Sequence, residues 1–165
     1  MGIKEILRSV FQEKSQPIVV DQEWLGEIAW AIETHEGSAR VDYGEQQFIE
    51  VVGESYHDEN IRTLVSDGPG EAAGWIAGYL LPEPKNTYDK NAVAIYAIHR
   101  ADGLWQGLHV GYMPAPIAKV KQREIKSILD FQGKIIPLLI IVKGGVEEFP
   151  QYGIVAYAKT DQIVF

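Results

Sequence analysis

Residues 80–97 read LLPEPKNTYDKNAVAIYA. Strand-like residues break off at Pro82-Glu83-Pro84-Lys85-Asn86-Thr87-Tyr88-Asp89-Lys90-Asn91 and resume as Ala92-Val93-Ala94-Ile95-Tyr96-Ala97. A connection that only reverses the chain takes about two to five residues. This one is longer, is stiffened by Pro82 and Pro84, and sets Tyr88 beside Asp89 near its exit. Two readings follow. In one, Tyr88 presents a flat face to a nucleobase, worth ~1–3 kcal/mol per base in single-strand binders. The neighbouring carboxylate repels phosphate and suits a terminal sugar hydroxyl. In the other, Tyr88 packs on the sheet and Asp89 accepts N–H bonds within an Asx-type turn. The loop alone leaves both open.

Outward from this loop the chain is β-rich. Gln47–Val52, Trp75–Leu81, Ala92–Ile98, Leu108–Tyr112, Lys134–Val142 and Gly153–Lys159 read as strands. Arg100-Ala101-Asp102-Gly103 reads as a turn and KGGVEEFPQY, before Gly153, as a loop. Two helices interrupt them. One is Tyr56–Val65, with Ile61, Leu64 and Val65 on one face; the other opens at Pro114 or Pro116 and ends at Gly133. Proline is tolerated in a first turn because its missing N–H has no partner there. The pattern predicts a mainly β fold with α, a small, partly closed OB-like or SH3-like barrel of five to six strands with two helices. That domain would span 47–165, behind a helical N-terminal extension, 1–46. In the extension Ile3, Ile6, Leu7, Val10 and Phe11 form an amphipathic stripe. DQEWLGEIAWAIETHEGSARVDYGEQ leans to helix, opened by Asp21 and followed by a loop from Thr34 to Gln46. The balance of Lys4, Arg8 and Lys14 with Glu5 and Glu13 favours docking of the stripe on protein, this chain's core or a second copy, over a membrane.

The 165 residues allow one domain with a real core, and 46% hydrophobic with 23% charged residues is ordinary for a soluble globular protein. There is no cysteine, so disulfides, thiolate nucleophiles and cysteine metal sites are excluded. The N-terminal stretch lacks the apolar core and cleavage site of a signal peptide, and no apolar run nears the ~18–20 residues of a membrane span, so a cytoplasmic protein is expected. The net charge of −8 argues against nonspecific, backbone-driven nucleic-acid binding. It is unevenly placed. Residues 1–46 carry four Lys/Arg against nine Asp/Glu, whereas Lys119, Lys121, Arg123 and Lys126 cluster against Glu124.

Catalytic motifs are wanting. The histidines at 35, 57, 99 and 109 make no HExxH or paired metal spacing. His57 beside Asp58 and Glu59 reads as a solvated helix start, because adjacent helix residues point to different faces. GPGEAAG at 68–74 has one residue too many for a dinucleotide fingerprint, and its glycines lead from helix to strand, the reverse of what phosphate binding needs. Asn86, Asp89 and Asn91 lack the glycine and terminal Glu of a calcium loop. No metal, no cofactor and no enzyme activity is expected.

Three pieces in order, VVGESYH at 51–57, LLPEPKNTYDKNAVAIYA at 80–97 and VGYMP at 110–114, resemble the HIRAN domain. That domain occurs at the front of helicase-like transcription factor and related DNA-repair remodelling ATPases, and as free-standing bacterial proteins. The resemblance runs roughly from Phe48 to Lys159 and rests chiefly on PEPxNxYDxNAVAI. It implies an OB-like barrel with two helices that captures the 3′ end of single-stranded DNA. Two tyrosines stack on terminal bases and an aspartate reads the free hydroxyl. Carried over by motif position, these are Tyr56, Tyr88 and Asp89, with Asn86 and Lys90 lining the loop and Asn91 holding the turn. An arginine that precedes the first tyrosine in the family's DNA-binding example is here Ser55, with Glu54 before it. The neighbouring aromatic position is His57, and Phe149 is a loose equivalent of a phenylalanine bordering the pocket. Exchanging arginine for serine removes a share of the counterion-release term.

The resemblance thus points to a noncatalytic module that recognises single-stranded nucleic-acid ends, DNA favoured, in a bacterial-type protein. The alternative is a protein–protein interaction module with no nucleic-acid ligand, using the acidic front part or the amphipathic helix, which could also serve self-association.

Overall fold

The computed structural model describes residues 22–23, 25–26, 48–67, 76–132 and 137–158. The amphipathic stripe expected at 3–11, the loop expected at 34–46 and the glycine-rich 68–74 lie outside them. The elements are β1 (Phe48–Glu50), a 3-10 helix (Glu54–His57), α1 (Asp58–Asp67), β2 (Ile76–Pro82), β3 (Val93–Ala101), β4 (Leu104–Tyr112), α2 (Ala115–Gln132), β5 (Pro137–Val146) and β6 (Phe149–Ala158). Gln22, Glu23, Leu25 and Gly26 are helical. None of the described helices is long and apolar enough to cross a membrane.

The fold is mainly β: all six strands join one antiparallel sheet in the order β1-β6-β5-β2-β3-β4. The expected barrel does not close as a ladder. The outer strands β1 and β4 meet at a single bridge just past the end of β1, between Val52 and Tyr112. Gly111 allows that approach. A Cβ there would stand 2.5 Å from Val51 Cγ1 and 2.7 Å from the Val52 carbonyl oxygen, and its φ of +148° favours glycine. The VVGE and VGYM pieces are therefore the two halves of one contact.

Period-2 alternation divides the core between the sheet's two faces. Leu138 and Ile140 join Ile49, Leu80, Val93, Ile95, Val110 and Ile154 on one face. Helices α1 (Ile61, Leu64) and α2 (Ala118, Ile125) cover that face. Leu139, between them in sequence, packs on the other face with Ala77, Tyr79 and Ile98. Leu25 covers this second cluster, with Tyr96, Trp105 and Tyr157 at its margin. The Gln22 amide also holds β4, donating to the Trp105 carbonyl (2.6 Å) and accepting from the Trp105 N–H (2.7 Å). A side-chain amide thus stands in for a ladder partner on an edge strand.

Three elements differ from the sequence reading. Strand β4 starts at Leu104, not Leu108, because Asp102 (φ 50°) and Gly103 (φ 78°) form a two-residue turn with both φ positive, so Ala101 pairs directly with Leu104. Most of KGGVEEFPQY is paired strand, with Val146 opposite Phe149 across Glu147-Glu148. An irregularity between Gly144 and Val146 absorbs the register change. The helix expected at Tyr56–Val65 starts as the tighter 3-10 turn, entered through Gly53 in the left-handed region (φ 79°). Helix α2 opens as expected, with Pro116 in its first turn and the Pro114 carbonyl accepting from Ile117 and Ala118 N–H, both at 2.9 Å.

Candidate nucleic-acid interface

The loop between β2 and β3 is held almost wholly by its own polar groups. At its base the Glu83 N–H donates to the Ala92 carbonyl (2.8 Å). A turn follows in which the Asn86 N–H donates to the Glu83 carbonyl (2.9 Å), with Pro84 in the second position, where its fixed φ belongs. Asn86 is the hub. Its Oδ1 accepts from the N–H groups of Tyr88 (2.9 Å) and Asp89 (3.1 Å), and its Nδ2 donates to Glu83 Oε2 (2.8 Å). Asp89 Oδ1 accepts from the Asn91 N–H (2.8 Å), and the Asp89 carbonyl accepts from the Ala92 N–H (3.0 Å). Helix α2 closes the exit: Gln122 Nε2 donates to the carbonyls of Lys90 (2.6 Å) and Ala92 (3.3 Å).

On this frame Tyr88 is 99% exposed. The backbone beneath it is fixed and its ring touches solvent, the reverse of a tyrosine spent on packing. Asp89 is half-buried and does brace the turn, as the plain reading expected. A carboxylate offers about four acceptor sites, so that bond leaves acceptor capacity. Lys90 and Ser55 are exposed, and Glu54 is half-buried.

Tyr56 stands 89% exposed on the 3-10 turn, its N–H donating to the Gly53 carbonyl (3.1 Å). Gly53 lies between two rings: a Cβ on it would be 3.9 Å from both Tyr56 and Tyr112. The Tyr112 hydroxyl donates to Glu83 Oε2 (3.2 Å), the same oxygen that Asn86 holds. Tyr112 therefore ties the turn carrying Tyr56 to the loop carrying Tyr88. Burial and the Glu83 carboxylate push the Tyr112 phenol up to about 12, so it remains a donor throughout the ordinary pH range.

His57 faces inward. Its ring lies 4.0 Å from that of His109, which stacks on Tyr96 (4.9 Å), which stacks on Tyr79 (5.1 Å). Burial, then the neighbouring His57, bring His109 down to about 4; Glu83 and the bond to the Gly111 carbonyl oppose the shift. Burial also lowers His57, against Glu83. The neutral His109 Nε2–H can donate to the Gly111 carbonyl at 3.0 Å. Among the described residues no group of His, Asp or Glu could hold a metal ion.

Phe149 is 68% exposed at the tip of the β5–β6 hairpin, outside the set that Tyr112 joins. The geometry thus links Tyr56, Asn86, Tyr88 and Asp89 through shared hydrogen bonds and contacts, and sets His57 into the stack behind them. Sequence reasoning gave no role to Glu83, Tyr112, His109 or Gln122. Glu83 and Tyr112 lay inside the quoted PEP and VGYM pieces, so a signal existed. Gln122 had none, being one polar residue of an amphipathic helix.

No curated protein and no solved structure matches the chain. The model of the HIRAN domain matches residues 44–138, which include the 3-10 turn, the β2–β3 loop and the VGYM segment. The chain belongs to the HIRAN domain family, a family of nucleic-acid-binding modules.

Proposed function

We propose that this protein is a noncatalytic module that captures the 3′ end of a single strand, DNA in preference to RNA. Tyr88 and Tyr56 stack on the terminal bases and Asp89 accepts from the 3′ hydroxyl. The observation that carries the reading is Tyr88, fully exposed above a loop whose backbone is fixed at Glu83, Asn86, Asp89 and Gln122. A rigid support matters because a preorganised loop loses little entropy when a base stacks on it. Lys90 and Ser55 border the site as polar contacts, and Asn86 serves it by positioning. His57 anchors the 3-10 turn by its ring contacts with His109 and Tyr112, and Phe149 is a candidate contact for bases further from the end. Residues 47–165 form the binding module on this reading, with an OB-like path of the strands, and 1–46 are its extension.

The test is a titration of single strands ending in a 3′ hydroxyl or a 3′ phosphate against the wild-type protein, Tyr88→Ala and Asp89→Ala. Tyr88→Ala is expected to weaken binding by ~1–3 kcal/mol whatever the terminal base. Asp89→Ala is expected to reduce the preference for the hydroxyl end more than overall affinity. Absence of any end preference in the wild type, with a lower melting temperature for Asp89→Ala, would make the loop a brace only and leave the protein-interaction reading in its place.

A further inference from the structure

The helix beside this loop carries four of the chain's fifteen Lys and Arg residues within eight positions, in a chain that is acidic as a whole. Ala118 and Ile125 bury one side of α2, and Gln122 fixes which flank meets the loop, through the carbonyls of Lys90 and Ala92. Successive helix residues turn by about 100°. Lys119 and Lys126 therefore lie within about 60° of Gln122 around the axis, on the loop side, and Arg123 lies about 100° from it, at the solvent-facing edge of that flank. All three are exposed, as are Lys85 and Lys90 on the loop itself. The helix's acidic residue in this stretch, Glu124, sits on the opposite flank, paired with Lys121 at 3.1 Å. At 1.5 Å per residue Arg123 is about 6 Å and Lys126 about 10 Å further along the axis than Lys119. The chain's net charge is −8, so this arrangement is a local row of cations against the protein's own field.

We propose that this flank of α2 is a track for the phosphates of the same single strand, leading its backbone away from the end held at Tyr88, past Lys90 and along Lys119, Arg123 and Lys126. The proposal rests on the end-binding reading and extends it by a path and a polarity. Asp89 lies at the terminus, where a free hydroxyl replaces phosphate, and the cations begin one residue later at Lys90. The frame fits a nucleic-acid strand better than an acidic peptide, because an exposed ring on a rigid support stands at the head of the row.

Fluorescence anisotropy with oligothymidylates of about four and about twelve nucleotides, both with 3′ hydroxyls, tests it. The variants are Lys119→Glu/Arg123→Glu, whose residues are exposed and whose melting serves as a control for folding, and Tyr88→Ala. Charge reversal is expected to lower affinity for the longer strand at least tenfold and to leave the shorter one within about twofold of wild type. It should also flatten the dependence of log K on log salt by about 1.4, at ~0.7 per lost single-strand phosphate contact. Unchanged affinity and slope for the longer strand, or equal loss on both strands, would overturn the track. In that case the end-binding reading still stands if Tyr88→Ala weakens both strands. If the wild-type protein binds neither oligonucleotide, both ideas fall.

Discussion

Val52 and Tyr112 exchange both backbone hydrogen bonds, N–H to carbonyl at 2.9 and 2.8 Å, and so join the two outer strands of the sheet. Every other strand contact is a ladder of several residues; this one is a single rung. It joins the two elements of the proposed site, because Gly53 and the 3-10 turn with Tyr56 follow Val52 directly, and the Tyr112 side chain reaches the loop of Tyr88 through Glu83.

Gly111→Ala is expected to break this rung. A methyl group would collide with Val51 and the Val52 carbonyl, and the φ of +148° is strained for any other residue. The backbone term alone costs on the order of 1–3 kcal/mol. Urea unfolding should show the loss, and the affinity for single strands should fall with it.

Asn86→Ala removes the acceptor of two N–H groups and a donor to Glu83 from a half-buried position. A loss of ~1–3 kcal/mol in stability is expected. Tyr88→Ala, by contrast, removes an exposed ring and should leave the melting temperature within about a degree of wild type. Equal melting losses for the two would show that Tyr88 is packed in solution.

Tyr112→Phe deletes one hydrogen bond to a carboxylate, a long one at 3.2 Å, and should cost on the order of 1.5 kcal/mol in stability. Its larger effect should be on binding, since the loop and the 3-10 turn lose their link. Comparison of melting and anisotropy on the one variant separates the two.

Acid should destabilise the fold through His109. Its ordinary value of 6.5 applies in the unfolded chain and falls to about 4 in the fold, so between these values the unfolded state binds a proton that the folded state refuses. Stability is therefore full above about pH 6.5 and declines as pH falls toward 4. The ring keeps partial access to solvent, which holds the change to on the order of 1–2 kcal/mol. His57 is shifted the same way and adds to the slope. Urea midpoints at pH 7 and pH 4.5 measure it, and His109→Gln should flatten the difference.

Gln22→Ala strips the side-chain cover from the edge strand at Trp105. About 0.5–1.5 kcal/mol per lost bond is expected, less where water replaces it. Removal of residues 1–26 goes further and bares Ala77, Tyr79, Ile98 and Leu139, which Leu25 covers. The truncated chain should melt earlier and self-associate in light scattering.

Local chemistry alone determined a good deal. Strand-like runs located all six strands, too long at β1 and too short at β4 and at the β5–β6 hairpin, and the apolar face of α2 and the proline at its start placed that helix. The run from Pro82 to Asn91 announced a loop too elaborate for a simple reversal. These features are legible because side-chain period, turn residues and caps act within a few positions of one another. The ends of β4, β5 and β6 were missed because pairing carries strands into turns that look like loops one residue at a time. What only the tertiary structure decided are contacts between residues far apart in the chain. Tyr112 and Glu83 are 29 positions apart, Gln122 and Lys90 32, and Gln22 and Trp105 83. No periodicity encodes such pairs. Each depends on where the curled sheet and α2 bring a polar side chain to a backbone or carboxylate that would otherwise lack it.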